Sequence, residues 1–205
     1  MSLEARSLTF RYPRRGQGPV LEHVNLTLEP GERVGLTAPS GRGKTTLCKL
    51  LAGYEKPKEG EVLLDGRPLA HGRGYCPVQM IWQHPETVVD PLMKLGDTLA
   101  EGWPVEQRVL DGLHIEPGWL ERYPTELSGG ELQRFCIARA LGPATRFLLC
   151  DEISTMLDLV TQAQIWNFLL EEAARRELGL LIVSHTPALL ERLCTRTQPL
   201  DPSPV

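Results

Sequence analysis

Apolar and polar residues alternate on either side of a proline-bounded stretch near the start of the chain. Residues 3–28 therefore read as a hairpin, two strands around the Pro13–Pro19 loop. Glu32–Thr37 is short, apolar and β-branched, which predicts a buried strand. The period then lengthens: Leu47, Leu50 and Leu51 share one helical face over Thr46–Ala52, and Gly53 stands where a helix C-cap belongs. Glu61–Gly66 reads as a further strand and turn. Residues 84–126 hold short helical stretches, Asp97–Glu101 and Val105–Leu113, broken by Gly and Pro. Leu132, Phe135, Cys136, Ile137 and Leu141 mark an amphipathic helix, and Ile165, Trp166, Leu169, Leu170 and Ala173 a core-facing one over 158–177. Phe147–Cys150 and Leu180–Ser184 are continuous apolar runs, the pattern of strands covered on both faces. From Arg192 to Val205 the chain reads as a proline-broken tail. Strands alternating with helices predict an α/β fold.

Composition narrows this picture. At 205 residues and 41% apolar content, the chain can bury one sizeable core, and 1–205 is expected to form a single domain. No apolar run reaches the ~18 residues of a spanning helix. Met1-Ser2-Leu3-Glu4 lacks the basic-then-apolar layout of a signal peptide, so a cytosolic location is expected. Cys48, Cys76, Cys136, Cys150 and Cys194 are scattered and odd in number, which suits reduced thiols rather than a disulfide or zinc framework. Net charge is −4 with no long basic run, and Arg11, Arg14 and Arg15 read as a solvated face. Nucleic-acid binding has no footing there.

The candidate chemistry begins at Ala38-Pro39-Ser40-Gly41-Arg42-Gly43-Lys44-Thr45-Thr46, which lies between the strand ending at Thr37 and the helix of Leu47–Leu51. Strand, Gly-rich turn and helix is the setting of a phosphate-binding loop, where backbone N–H groups and the helix dipole both face an anion. Lys44 would reach the outer phosphates as a point charge and the Thr45 hydroxyl would ligate Mg²⁺. The motif's first glycine is replaced by Ala38, which matters only where the backbone needs a positive φ or has no room for Cβ. Asp151 and Glu152 close an apolar strand, the edge where ligands of α/β sheets bind. Asp151 would orient Mg²⁺ and Glu152 polarise an attacking water. His185 ends the next apolar strand, within reach of a γ-phosphate.

A second anion-binding turn, Leu127-Ser128-Gly129-Gly130-Glu131-Leu132-Gln133-Arg134, opens the helix that follows. With it the chain resembles the nucleotide-binding subunit of ATP-binding cassette (ABC) transporters from about Leu3 to about Leu193. The resemblance implies a P-loop NTPase core with a mainly parallel sheet, an N-terminal antiparallel β subdomain and a small helical subdomain at 84–126. It matches Tyr12 to the aromatic that stacks on adenine, Gln83 to the loop glutamine that senses Mg²⁺ and the membrane partner, and His185 to the switch histidine. Thr155-Met156-Leu157-Asp158 matches the loop that crosses the dimer interface. The usual Gln of the signature is Glu131 here.

What the resemblance implies is two subunits head to tail, a homodimer or a heterodimer with a second ATP-binding subunit. Two ATP molecules lie between them, each on one subunit's phosphate loop and under the other's Ser128, Gly129 and Gly130. The cofactors are ATP and Mg²⁺. The partners are transmembrane permease subunits on the cytoplasmic side of the membrane and, indirectly, an extracytoplasmic solute-binding protein. Gln79–Pro85, Arg122-Tyr123-Pro124 and Asp151–Ser154 are similar to peptide and nickel importers, whose subunits usually continue beyond the point where this chain stops. Two alternatives stay open: an ABC ATPase outside transport, or a partner subunit with one degenerate site. The former usually carries a coiled-coil insertion or tandem cassettes, neither of which the sequence contains.

Overall fold

A computed structural model describes residues 2–13, 18–69 and 75–200. Arg14, Arg15 and the last five positions of the expected tail lie outside them. The hairpin forms as β1 (Leu3–Phe10) and β2 (Leu21–Leu28), paired antiparallel, but strict alternation fails at Ser7. Ser7 takes φ 48° and makes a bulge, so that Leu3, Ala5, Leu8 and Phe10 all face inward. Gly60 lies opposite, where a Cβ would come within 2.3 Å of the Arg6 and Ser7 carbonyl oxygens. Only glycine fits that approach.

Next come β3 (Arg33–Thr37), α1 (Lys44–Leu51), β4 (Glu59–Leu64), the two-residue β5 (Arg67–Pro68) and β6 (Val78–Ile81). The segment 85–126 holds α2 (Leu95–Ala100), α3 (Gln107–Gly112) and three short 3-10 turns. Then follow α4 (Gly129–Ala140), β7 (Phe147–Asp151), α5 (Leu159–Arg176), β8 (Gly179–Val183), α6 (Pro187–Leu193) and β9 (Arg196–Pro199). The strands form an antiparallel sheet ordered β2-β1-β4-β5 and a parallel sheet ordered β6-β7-β8-β3-β9.

The buried strands explain the layering. Phe147, Leu149, Leu181 and Val183 pack with Val34 and Leu36 toward the antiparallel sheet and α1. Their neighbours Leu148, Cys150, Leu180 and Ile182 face the other way, into a core shared with α4, α5 and the 85–126 segment. Period-two alternation thus feeds two cores from one sheet, and both faces must be apolar.

Three expectations need correction. Arg192–Pro199 is not a broken tail: it completes α6 and adds β9 to the free edge of β3, with Pro199 at the strand end, opposite Thr37. An edge position tolerates the missing N–H. Helix α4 is buried nearly all round rather than amphipathic, Gln133 and Arg134 included. It runs between the sheet and the 85–126 segment, where the Arg134 guanidinium donates to the Leu113 carbonyl at 2.6 Å. In α5, Leu170 is only partly buried, while Glu172 is fully buried between Arg108 and Arg175, each at 2.8 Å. Paired on both sides, its oxygens are satisfied without water.

Candidate active site

Parallel strands end on a common edge, and four of them deliver the chemistry. The phosphate loop follows β3, Gln83 follows β6, Asp151 ends β7 with Glu152 next, and His185 stands two residues past β8. The register levels these ends, pairing Ile81 with Cys150, Asp151 with Val183 and Leu36 with Val183. Between them lies a cleft of about 450 Å³ lined by Tyr12, Lys44, Thr45, Gln83, Glu152 and His185 with Ser40, Gly41, Gly43 and Thr46. An anion there faces the N-terminus of α1.

Gly41 and Gly43 take φ 75° and 86°, and a Cβ on Gly43 would meet Leu21 at 2.7 Å. Ala38 is not among the residues with positive φ, and its methyl packs against the core, so the departure from the motif leaves the loop intact. Lys44 is buried and folds back, donating to the Ala38 and Pro39 carbonyls at 2.7 and 3.1 Å. Arg42 is exposed and does not line the cleft.

Glu152 is the strained residue of the site, with φ 52° on a non-glycine backbone. Its carboxylate meets His185 Nε2 at 2.5 Å and accepts from Gln83 Nε2 at 3.2 Å. Asp151 is buried, and its Oδ1 has no hydrogen-bond partner among the described residues. Burial raises its pKa, while the Thr45 hydroxyl and the Lys44 charge pull it back. An orphaned carboxylate oxygen beside a hydroxyl and a phosphate loop fits Mg²⁺, which takes few protein ligands and draws the rest from phosphates and water.

The raised pKa means that Asp151 favours folding below its unfolded value of about 3.9, and that this contribution is lost as pH rises through the folded value. At pH 7 the charge opposes folding. Asp151→Asn should therefore raise the melting temperature of the nucleotide-free protein at pH 7. It should also remove the further rise that Mg-ATP gives over ATP alone. Thermal melts at pH 7 check both; a lower melting temperature with the Mg-ATP rise intact would contradict this role.

Tyr12 is half-buried, edge-on to Phe10 at 4.9 Å, and its hydroxyl shares a 3.1 Å hydrogen bond with Thr46. It is thus both a packing residue and part of the cleft wall.

Ser128, Gly129, Gly130 and Asp158 do not line this cleft. Ser128 caps α4 in a reciprocal box with Glu131, and Asp158 caps α5, accepting from the Val160 and Thr161 N–H groups at 3.0 Å each. The two caps are neighbours: a Cβ on Gly130 would touch Leu157 at 3.1 Å. Around Asp158 the apolar side chains Met156, Leu159 and Val160 are exposed.

Sequence reasoning missed a second cavity, of about 260 Å³, lined by Tyr54, Trp82, Val88, Cys136 and Arg139 among others. Tyr54 is exposed and edge-on to Trp82, over which Lys49 lies at 5.3 Å. The signal, two aromatics far apart in sequence, becomes visible only once β6 and α1 are packed.

A family model described as ABC transporter matches residues 21–155. A nickel import ATP-binding protein, NikE, of Rhodospirillum rubrum is 36% identical over 95% of this chain and 76% of that protein. NikE of Escherichia coli is 34% identical over 89% of this chain and 75% of its own length. A solved structure of an ATP-binding subunit of an ABC transporter superposes with TM-score 0.84 at 25% identity, covering 98% of this chain and 86% of that one. A post-hydrolysis dimer of an ATP-binding cassette bound to ADP and Pi shares the fold, with TM-score 0.83 at 24% identity over 97% of this chain and 94% of its own.

Proposed function

This chain belongs to the ABC transporter family and is an ATPase of it, and from that premise we propose that it powers a membrane importer of the nickel or peptide type. The observation that carries the reading is the convergence of Lys44, Thr45, Gln83, Glu152 and His185 on one cleft at one sheet edge.

In this reading Lys44 leaves the Ala38 and Pro39 carbonyls to meet the outer phosphates of ATP, and the α1 N-terminus holds the rest. Thr45, Asp151 and, through its side-chain amide oxygen, Gln83 would hold Mg²⁺, which would neutralise phosphate charge. Glu152 accepts a proton from the attacking water, and His185 positions both. The 2.5 Å contact between them keeps the imidazole aimed into the cleft. Tyr12 lies under the adenine. Phosphoryl transfer then needs little beyond positioning and charge.

Ser128, Gly129, Gly130 and Asp158 do not line this chain's own cleft, so in this reading a second subunit, head to tail, would bring them over the ATP. Exposed Met156, Leu159 and Val160 support contact on that side. ATP joins the two subunits and hydrolysis releases them. The cavity between Trp82 and Arg139 suits a short permease helix, because it adjoins Gln83 and α4 and would feel closure. We assign residues 1–205 to one ABC ATPase domain with 84–126 as its helical part. The protein then sits on the cytoplasmic side of a membrane through its permease, and meets a solute-binding protein only indirectly. Among the described residues no helix is long and apolar enough to cross a membrane.

A tagged copy extracted from its native membranes in mild detergent should bring down a polytopic permease with a second cassette subunit. Recovery with ribosomes or DNA, and no permease, would overturn the transport reading.

A further inference from the structure

The signature turn is held by its own glutamate. Glu131 Oε2 accepts from the Ser128 N–H and from the Ser128 hydroxyl, both at 2.7 Å. The Ser128 Oγ in turn accepts from the Glu131 N–H at 3.3 Å. A serine hydroxyl has one proton. While that proton lies on the carboxylate it cannot lie on a phosphate oxygen.

We propose that Glu131 is a positioning residue that weakens closure of two subunits on ATP, by occupying the Ser128 hydroxyl and by placing a negative charge beside the incoming γ-phosphate. This rests on the head-to-tail reading above and deepens it. Two physical effects run in the same direction. The hydroxyl must exchange a charged acceptor for the phosphate before it can bind. The carboxylate also offsets the positive end of α4, about half an elementary charge, that would otherwise attract the triphosphate.

The same contacts make the separated chain more stable. A capping box at the start of α4 satisfies two backbone N–H groups, and an acid in the first turn complements the helix dipole. The Ser128 side-chain and backbone hydrogen bonds, then the Arg122 and Arg134 charges, hold the Glu131 carboxyl below its usual range, so it stays ionised throughout the physiological window. Glu131 thus favours the open subunit and opposes the closed pair.

Glu131→Gln separates these roles. A glutamine closes the same box, so α4 keeps its cap while the charge is removed and the Ser128 hydroxyl is left with a neutral, weaker acceptor. The experiment uses the Glu152→Gln chain, which is expected to hold ATP without turnover, and titrates dimer formation with Mg-ATP by light scattering. Adding Glu131→Gln should lower the ATP concentration for half-dimerisation on the order of tenfold. That gap should narrow as salt rises from about 50 mM to about 500 mM, since screening acts on charge and not on capping. The nucleotide-free melting temperature should not rise. A purely structural cap predicts no gain, or a loss. If Glu152→Gln dimerises and the second substitution gives no gain, this inference falls and the head-to-tail reading stands. If neither protein dimerises although both bind ATP, the reading falls and the inference with it.

Discussion

Replacing Glu152 by glutamine should lower steady-state phosphate release on the order of 10²- to 10⁴-fold while leaving ATP affinity within a few-fold of wild type. Glutamine keeps the length and the hydrogen-bonding shape of glutamate but cannot take a proton from water. The carboxylate is three-quarters or more shielded from solvent, at 12% side-chain exposure, and has two partners already aimed at it, His185 and Gln83. Its left-handed backbone holds it off the line of β7, toward His185 on the neighbouring strand's end. A side chain so constrained is not replaced by a neighbour. Single-turnover and steady-state phosphate release, with nucleotide binding measured in parallel, check the two halves separately. Turnover near wild type would remove Glu152 from the catalytic role.

Lys44→Ala should weaken ATP binding on the order of 100-fold or more, with a nearly unchanged melting temperature in the absence of nucleotide. The ammonium is buried against carbonyl oxygens, and Ala38 and Pro39 also line a neighbouring cavity of about 660 Å³, so water can reach their carbonyls when the lysine is deleted. The cost therefore appears in binding, where a triphosphate loses its closest positive charge, and not in the fold. Equilibrium binding of a fluorescent ATP analogue reads this directly. Unchanged affinity would take Lys44 out of the site.

The parts of this site that were legible in the sequence are those whose chemistry is local. A Gly-rich loop between a strand and a helix is readable because Gly41 and Gly43 need left-handed backbone and Lys44 follows at fixed spacing. Asp151, Glu152 and His185 are readable because apolar runs end at them, and parallel strands end together. What was not legible depends on distant partners. Nothing in Val78–Ile81 or Arg196–Pro199 marks a strand by itself; β6 exists by pairing with β7, and β9 by pairing with β3. The Ser7 bulge answers to Gly60, and the burial of Glu172 to Arg108, neither of them near in sequence. Ser128 and Asp158 could be named from the sequence, but their absence from the cleft lining could not. The proposed second subunit rests on that absence.

The most direct measurement is therefore the mass in solution of the Glu152→Gln protein, by light scattering, with and without saturating Mg-ATP. The account predicts a monomer without nucleotide and a dimer with it, and reversion to monomer when Lys44→Ala is added. A protein that remains monomeric while saturated with Mg-ATP would contradict the central claim that two subunits close on the nucleotide.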